Sequence, residues 1–334
     1  MTWKGMKVAV TGAGGFIGSH LVEALLKEGA QVKALVRYTS RGDNGWLDEF
    51  RKTAGPALEI VPGDVHDQQG IMRFVEGCER VFHLAALIAI PYSYEWPGSY
   101  IETNVVGGFN VLEAARVHKV NRVIFTSTSE VYGTALYTPM DETHPLQTQS
   151  PYAASKAASD LLAASYARSF ELPVVVVRPF NTFGPRQSLR AVIPTIIAQA
   201  LSGNEVFLGD TTPVRDLNFV ADTVAGFLAC AERATPDGRV YNLASGVGVS
   251  IGDVVARVGQ ILGKSLKIVS DPRRRRPDAS EVRCLIGAAK RAETDCGWKS
   301  AISLEEGLQQ AIRWWEKRPE LRLGTPDRPH EYVK

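Results

Sequence analysis

The spacing of apolar and polar positions changes period repeatedly along the chain. Residues 7–10 form a short β-branched run, and residues 20–27 then carry Leu21, Ala24 and Leu25 at helical spacing, with Gly29 placed as a C-cap. A second apolar run follows in "QVKALVR". The alternation continues, predicting strands near 58–61, 80–84, 122–126 and 174–178 and helices near 68–76, 99–118 and 152–170. Strands alternating with helices argue a doubly wound parallel α/β sheet.

After Pro179 the rhythm breaks. "PFNTFGPRQ" reads as a loop by its Pro and Gly content. A helix is predicted over 191–202, "FVADTVAGFLACAERA" reads as a helix returning to the sheet, and "VYNLA" (240–244) as a strand. The expected division is a dinucleotide-binding unit from 1–181 plus 218–244, and a smaller interleaved C-terminal lobe from 182–217 plus 245–334. No internal repeat or low-complexity tract interrupts this pattern.

Composition narrows the function classes. The chain has 334 residues, a formal net charge of +2 and 45% hydrophobic residues. That balance gives no bulk electrostatic case for nucleic acid or an anionic membrane. The four cysteines are scattered without a C-x-x-C pair, the six histidines lack metal-ligand spacing, and no apolar run approaches the roughly 20 residues of a membrane span. The expectation is a cytoplasmic protein with reduced thiols and no metal. "RRRR" (273–276) is the one charge run, and a solvated loop would explain it equally well.

Chemistry concentrates at two places. Gly12, Gly15 and Gly18 form G-x-x-G-x-x-G between the first strand and helix, where a pyrophosphate can approach free N–H groups at a helix N-terminus. This Rossmann turn, with Phe16 and Ile17, is assigned to a dinucleotide. Leu84, Ala85 and Ala86 after the fourth strand, and Asp64 and Val65 after the third, are assigned to the same cofactor, the last two on its adenine side. The second strand ends in Arg37, where an acid would bind the ribose 2′-hydroxyl of NAD. Arginine suits a 2′-phosphate, so NADP is preferred over NAD. The second place is "SPYAASKAASDLL". Of the ten tyrosines, only Tyr152 has a lysine four residues on, Lys156, on the same helical face. Bringing a phenol from about 10 to about 7 takes roughly 4 kcal/mol, which Lys156 and a cationic nicotinamide ring could supply together. Thr128, at the end of the preceding strand, can hold the same substrate hydroxyl.

Taken together, "TGAGGFIG", "GDV", "HLAA", "TNVVGGFNVLEAA", "TSTSEVYG", "YAASK", "RPFNTFGPRQ" and "RDLNFVADT" resemble the extended short-chain dehydrogenase/reductase superfamily of nucleotide-sugar epimerases and dehydratases, over about residues 7–316. The resemblance implies catalysis by Thr128, Tyr152 and Lys156 and a homodimer in which the predicted helices 99–118 and 152–170 form a four-helix bundle. It also gives Glu130 a role. Epimerases of this superfamily have a small uncharged residue there, whereas 4,6-dehydratases use a glutamate to take the C5 proton once C4 is a ketone. "TSTSEVYG" is similar to the version in GDP-mannose 4,6-dehydratase. In dTDP-glucose 4,6-dehydratases an aspartate precedes the glutamate as an acid for the departing hydroxyl; Ser129 stands there here, leaving Glu130 to act as base and acid with Ser129 orienting.

UDP-glucuronate decarboxylases share Thr-Ser-Glu-Val-Tyr-Gly and remain an alternative, as does a 4-epimerase. A non-catalytic dinucleotide-binding module would have no use for Tyr152, Lys156 and Glu130 together. "ALIAIPYSY", "DETHPLQTQSPY" and "RQSLRAVIPTII" resemble dehydratases acting on nucleotide-linked N-acetylglucosamine on the route to legionaminic-type sugars. The implied substrate is a nucleotide-diphosphate hexose or N-acetylhexosamine. Its diphosphate falls to Asn181, Arg215 and Arg276, with Arg190 and Arg186 as further cations, and its base to 191–208. Ala86, Ile88, Ser93 and Tyr94 are placed around the sugar, and Asn104 behind the site in a structural role.

Overall fold

The computed structural model describes residues 3–322; the first two residues of the expected dinucleotide unit and the last twelve of the expected lobe lie outside them. Six strands, β1 (Lys7–Thr11), β2 (Gln31–Val36), β3 (Leu58–Pro62), β4 (Arg80–His83), β5 (Arg122–Thr126) and β6 (Val174–Pro179), and a seventh, Asp237–Leu243, form one parallel sheet. Its order is seventh–β6–β5–β4–β1–β2–β3, so the chain reverses direction across the sheet between β1 and β4. This is the Rossmann α/β fold expected from the alternation, and ligands in such sheets sit at the strand C-termini beside that reversal.

The strands are apolar because helices cover both faces. In β5 the side chains alternate: Ile124 packs with Leu21, Leu25 and Phe227 from the helices Phe16–Lys27 and Val220–Arg233, while Val123 and Phe125 pack with Phe74, Leu112 and Ala163 on the other face. That second face carries the helices Gln68–Val75, Gly107–Val117 and Pro151–Phe170. The single helix predicted over 99–118 is in fact a short helix, Pro97–Tyr100, a π-helical segment, Ile101–Val106, and the helix proper from Gly107.

Beyond Pro179 the sequence reading was less complete. "PFNTFGPRQ" is not all loop: Asn181–Phe183 pairs in parallel with Val214–Phe219, which also pairs with Gly248–Ser250 and Cys284–Leu285 in a small mixed sheet. A further parallel pair joins Glu205–Leu208 to Lys267–Ser270. Three of these strands are only two or three residues long, and Val214–Phe219, interrupted by Arg215, Asp216 and Asn218, offers no apolar run to read.

Candidate active site

The glycine turn lies against the end of β4. Gly12 has φ +68°, and a Cβ there would stand 2.7 Å from the Ala85 amide nitrogen, so only glycine allows this approach. Gly18 packs directly on the Gly12 carbonyl, and the helix Phe16–Lys27 starts at Gly15 with no side chain capping it. Its first-turn N–H groups therefore face outward uncapped, as an anion site requires. Thr11 fixes the two strand ends together. Its Oγ1 accepts from the Leu84 and Ala85 amides at 3.2 and 3.1 Å and lies 2.9 Å from His83 Nδ1. With both lone pairs engaged, the Thr11 proton points at Nδ1, which leaves Nε2 as the protonated nitrogen. Burial, with Lys156 adding to it, lowers His83 to about 3, so the ring is neutral. Sequence reasoning passed over Thr11 and His83, although "HLAA" held the second.

The adenine-side residues are anchored from below. Val65 is buried under Gly107, and its carbonyl accepts from Asn110 Nδ2 at 2.8 Å; Asp64 is half exposed and accepts from the His66 amide at 3.0 Å. Arg37 is exposed at the end of β2. Phe16, Ile17, Leu84, Ala85 and Ala86 are half-buried around the same turn.

"TSTSEVYG" leaves β5 and folds into a single 3₁₀ turn, Ser129–Tyr132, capped by Thr128, whose Oγ1 accepts from the Glu130 amide at 3.3 Å. This turn buries Ser129 and Glu130, at 2% and 8% exposure. The Glu130 carboxylate makes no hydrogen bond or ion pair among the described residues, yet its charge acts on both Tyr152 and Arg215. Its carboxylate oxygens keep access to solvent, so the group is free to meet a ligand.

Tyr152 and Lys156 come from the first turns of Pro151–Phe170, started by Ser150, whose side chain accepts from the Ala153 amide at 3.1 Å. Both are buried. Burial pushes the Tyr152 phenol above its ordinary value; the Thr128 hydroxyl works against that rise and the Glu130 charge adds to it. Lys156 Nζ donates to the Thr126 carbonyl at 2.5 Å, a hydrogen bond the sequence reading did not include. Burial lowers Lys156 itself to about 8, opposed by Asp160.

Asp160, one further turn along, was missed although i+4 spacing from Lys156 could have found it. It accepts from Ser127 Oγ at 2.7 Å and from Arg178 Nε and Nη2 at 3.0 and 2.9 Å, all inside the protein. Arg178 in turn lies over the Tyr132 ring. Asn104, in the π-helical segment, binds the Leu87 amide and carbonyl and Ser155 Oγ, tying the loop after β4 to the catalytic helix. π-Segments of this kind recur at functional sites.

The residues assigned to substrate are less uniform. Arg215 and Arg276 converge on one carboxylate oxygen, Oε1 of Glu281, at 3.0 and 3.5 Å. Asn181 Oδ1 is buried without a hydrogen-bond partner. Arg190 is exposed, and its charge acts on Tyr100. Arg186 pairs with Glu23 at 2.8 Å and Glu49 at 3.7 Å, bracing the loop after β6 against the first helix. Ile88 is 68% exposed, whereas Ser93 is fully buried and gives its hydroxyl to the Ile90 carbonyl. Tyr94 reaches Ser280 at 2.6 Å. No cluster of three metal-ligating side chains occurs among the described residues, and no described helix is long and apolar enough to cross a membrane.

Known proteins share this fold and sequence pattern over nearly the whole chain. The family model described as GDP-mannose 4,6 dehydratase matches residues 9–311. A dTDP-glucose 4,6-dehydratase from Streptomyces griseus is 35% identical, over 92% of this chain and 93% of its own. A crystal structure of a double mutant of the dTDP-glucose 4,6-dehydratase DesIV from Streptomyces venezuelae, with NAD bound, superposes with a TM-score of 0.86 at 30% identity, covering 94% of this chain and 98% of that one. The UDP-glucose 4-epimerase from Thermotoga maritima, solved with UDP-glucose, gives 0.85 at 29% identity, covering 93% and 99%. Relatives of similar extent include a decarboxylase of a UDP-linked N-acetylglucosaminuronate. A nucleotide-sugar-modifying enzyme on a Rossmann sheet is what the glycine turn, the Tyr152–Lys156 pair and these matches share, and the chain belongs to the GDP-mannose 4,6 dehydratase family.

Proposed function

We propose that the protein is a nucleotide-sugar 4,6-dehydratase that converts a nucleotide-diphosphate hexose or N-acetylhexosamine to its 4-keto-6-deoxy form. The observation that carries this reading is Glu130: buried, unpaired among the described residues, and held by the Thr128 cap on the same side as Tyr152. A 4-epimerase has no task for such a base. The glycine turn suits a dinucleotide, because Gly12 and Gly18 leave no room for side chains and the helix start is uncapped. Gly12, Gly15, Phe16, Ile17, Gly18, Asp64, Val65 and Leu84 to Ala86 would hold it. Exposed Arg37 favours NADP by reaching a 2′-phosphate, while bound NAD in the DesIV structure supports NAD. Bound there, the dinucleotide supplies a hydride acceptor at C4 and the hydride that returns to C6.

The protein's own groups manage the protons. Thr128 orients the C4 hydroxyl and Tyr152 takes its proton as the C4–H electron pair leaves. Lys156, one helical turn beyond Tyr152 and donating to the Thr126 carbonyl, is assigned to favour the phenolate by its charge. Glu130 then takes the C5 proton, made acidic by the C4 ketone, and passes it to the departing C6 hydroxyl, which leaves as water; as hydride adds at C6, C5 takes up the proton equivalent that Tyr152 had accepted from the C4 hydroxyl, so the net change is the loss of one water. Asn181, Arg215 and Arg276 hold the diphosphate, Arg190 lies at the rim, and Ile88 with Tyr94 flanks the sugar. A homodimer is supported by the exposed apolar side chains Ile101, Val106, Phe109 and Val117 on one helical stretch and Leu161 and Phe170 on the catalytic helix.

The test is mass spectrometry of UDP-, GDP- and dTDP-linked hexoses, N-acetylhexosamines and the corresponding hexuronates incubated with the purified protein and with Glu130→Gln. One substrate should lose a water, and the variant should lower that rate by roughly 10²–10⁴ while still oxidising C4. An unchanged mass with inverted C4, or loss of carbon dioxide, rejects the dehydratase reading.

A further inference from the structure

Glu281 belongs to none of the assigned functional residues, yet it sits at the centre of the proposed diphosphate site. Its Oε1 lies 3.0 Å from Arg215 Nη2 and 3.5 Å from Arg276 Nη1. All three side chains are largely withdrawn from water, at 8%, 28% and 11% exposure for Arg215, Arg276 and Glu281. The arrangement is not a saturated ion-pair network. Arg276 Nη1 is buried and has no hydrogen bond, because 3.5 Å is an ion-pair distance without a proper N–H···O geometry. Asn181 Oδ1 is likewise buried and unpartnered. The pair of guanidiniums thus has more donors than one carboxylate uses, as a phosphate site needs.

The segment carrying Arg276 and Glu281 is fastened at its own backbone and neighbours. Ser280 Oγ donates to the Gln149 carbonyl at 2.5 Å and meets Tyr94 at 2.6 Å; Gln149 Nε2 donates to the Ala279 carbonyl at 3.0 Å; and the Arg283 amide donates to Thr134 Oγ1 at 3.1 Å. The backbone holds Glu281 in place, so the freedom left to its carboxylate is side-chain rotation.

We propose that Glu281 is a resident counter-anion of the Arg215–Arg276 pair: it keeps the two guanidiniums together in the free protein, and a ligand diphosphate must displace it. The inference rests on the reading of Arg215 and Arg276 as the diphosphate site. Two arginines left facing each other in a mostly dry pocket would repel, and Arg215 already lies under the field of Arg276. Glu281, together with the Glu130 charge that also acts on Arg215, offsets that repulsion, and by its direct contacts it competes with every diphosphate that enters, substrate and product alike. Its consequence for turnover is a weaker hold on product.

The experiment is titration calorimetry of the full chain, Glu281→Gln and Arg215→Ala with inorganic pyrophosphate and with UDP, GDP and dTDP, alongside thermal melting. Glu281→Gln should bind pyrophosphate and the preferred nucleoside diphosphate roughly five- to tenfold more tightly. Its Tm without ligand should fall by several degrees and recover at saturating pyrophosphate. Unchanged or weaker binding by Glu281→Gln overturns the proposal and makes Glu281 either a plain structural partner or a direct ligand contact. If Glu281→Gln does not fold, Glu281→Asp serves, because the shorter carboxylate withdraws from Arg276; tighter binding supports the proposal and equal or weaker binding overturns it. Arg215→Ala keeps the two failures apart: if it binds pyrophosphate as well as the parent, the diphosphate reading itself is wrong.

Discussion

The glycine turn of the parallel sheet and the arginine pair of the smaller sheet are both shaped for phosphate, and they do it in opposite ways. The turn uses backbone. Gly12 and Gly18 make room, Thr11 fixes the strand ends, and the helix start offers N–H groups without a charged side chain. The pair uses side chains, Arg215 from the start of a strand and Arg276 from a distant loop, and has to neutralise itself with Glu281. A backbone cradle needs no counter-ion because a partial charge spread over several N–H groups carries little self-repulsion. A guanidinium pair does need one, and that makes the second site adjustable by charge where the first is adjustable only by shape.

The difference is broken most severely at Gly12. Gly12→Val adds a Cβ 2.7 Å from the Ala85 amide nitrogen, at a φ of +68° that a β-branched residue avoids. Backbone cannot step aside as a side chain can, so the turn must reopen. Purified Gly12→Val should carry no dinucleotide when denatured and assayed by mass, and turnover should drop by about 10³ or more, on the scale of losing reactant positioning. Pyrophosphate binding at the arginine pair should be within about twofold of the parent, since nothing there touches the turn.

This contrast also explains what the sequence could disclose. A backbone cradle requires glycine at fixed positions, so Gly12, Gly15 and Gly18 were readable, as was the Tyr152–Lys156 spacing on one helical face. The apolar strand runs alternating with helical periodicity announced the parallel sheet. Glu281 gave no signal, because an exposed loop glutamate and a buried counter-ion look alike until the fold brings Arg215 beside it. His83 and Thr11 were hidden for a related reason: a polar residue at a strand end means little before the neighbouring strand is known. The strand Asn181–Phe183 was lost to its Pro- and Gly-rich flanks and its three-residue length.

The two sites should separate again with pH. Lys156 is fully buried and lowered by that burial to about 8, whereas arginine keeps its charge across the working range. Turnover should therefore fall above about pH 8, approaching tenfold per pH unit, while KM for the nucleotide sugar stays flat to about pH 10. Stability moves the other way. Between about 8 and 10.5 the unfolded lysine holds a proton that the folded one has lost, so stability rises with pH through that window. Below it, the buried ammonium costs about 3 kcal/mol, an order-of-magnitude figure. Rate profiles and denaturant midpoints from pH 6 to 10 check both limbs; a KM that rises with kcat's fall would put Lys156 in binding instead.

The smallest effect gives the finest comparison, because the same chemical change can be made in each region. Ser150 caps the catalytic helix by accepting from the Ala153 amide at 3.1 Å, and Ser250 caps the helix Ile251–Leu262 by accepting from the Asp253 amide at 3.0 Å. Each serine-to-alanine change removes one cap and should lower stability by about 1 kcal/mol. Ser250 has the additional contact, donating to Asp253 Oδ2 at 2.6 Å, so its loss should be the larger of the two in the melt. In kcat the order reverses. Tyr152 is the second residue of the helix that Ser150 starts, and a frayed first turn displaces the phenol from Thr128. The helix that Ser250 starts packs Val254, Val255 and Val258 into the core and carries none of the catalytic groups. Ser150→Ala should thus cut kcat several-fold with little change in KM, and Ser250→Ala should leave both within about twofold. Equal kcat losses from the two variants would mean that the position of Tyr152 is set by packing of the whole helix against Tyr100 and Asn104 rather than by its first turn.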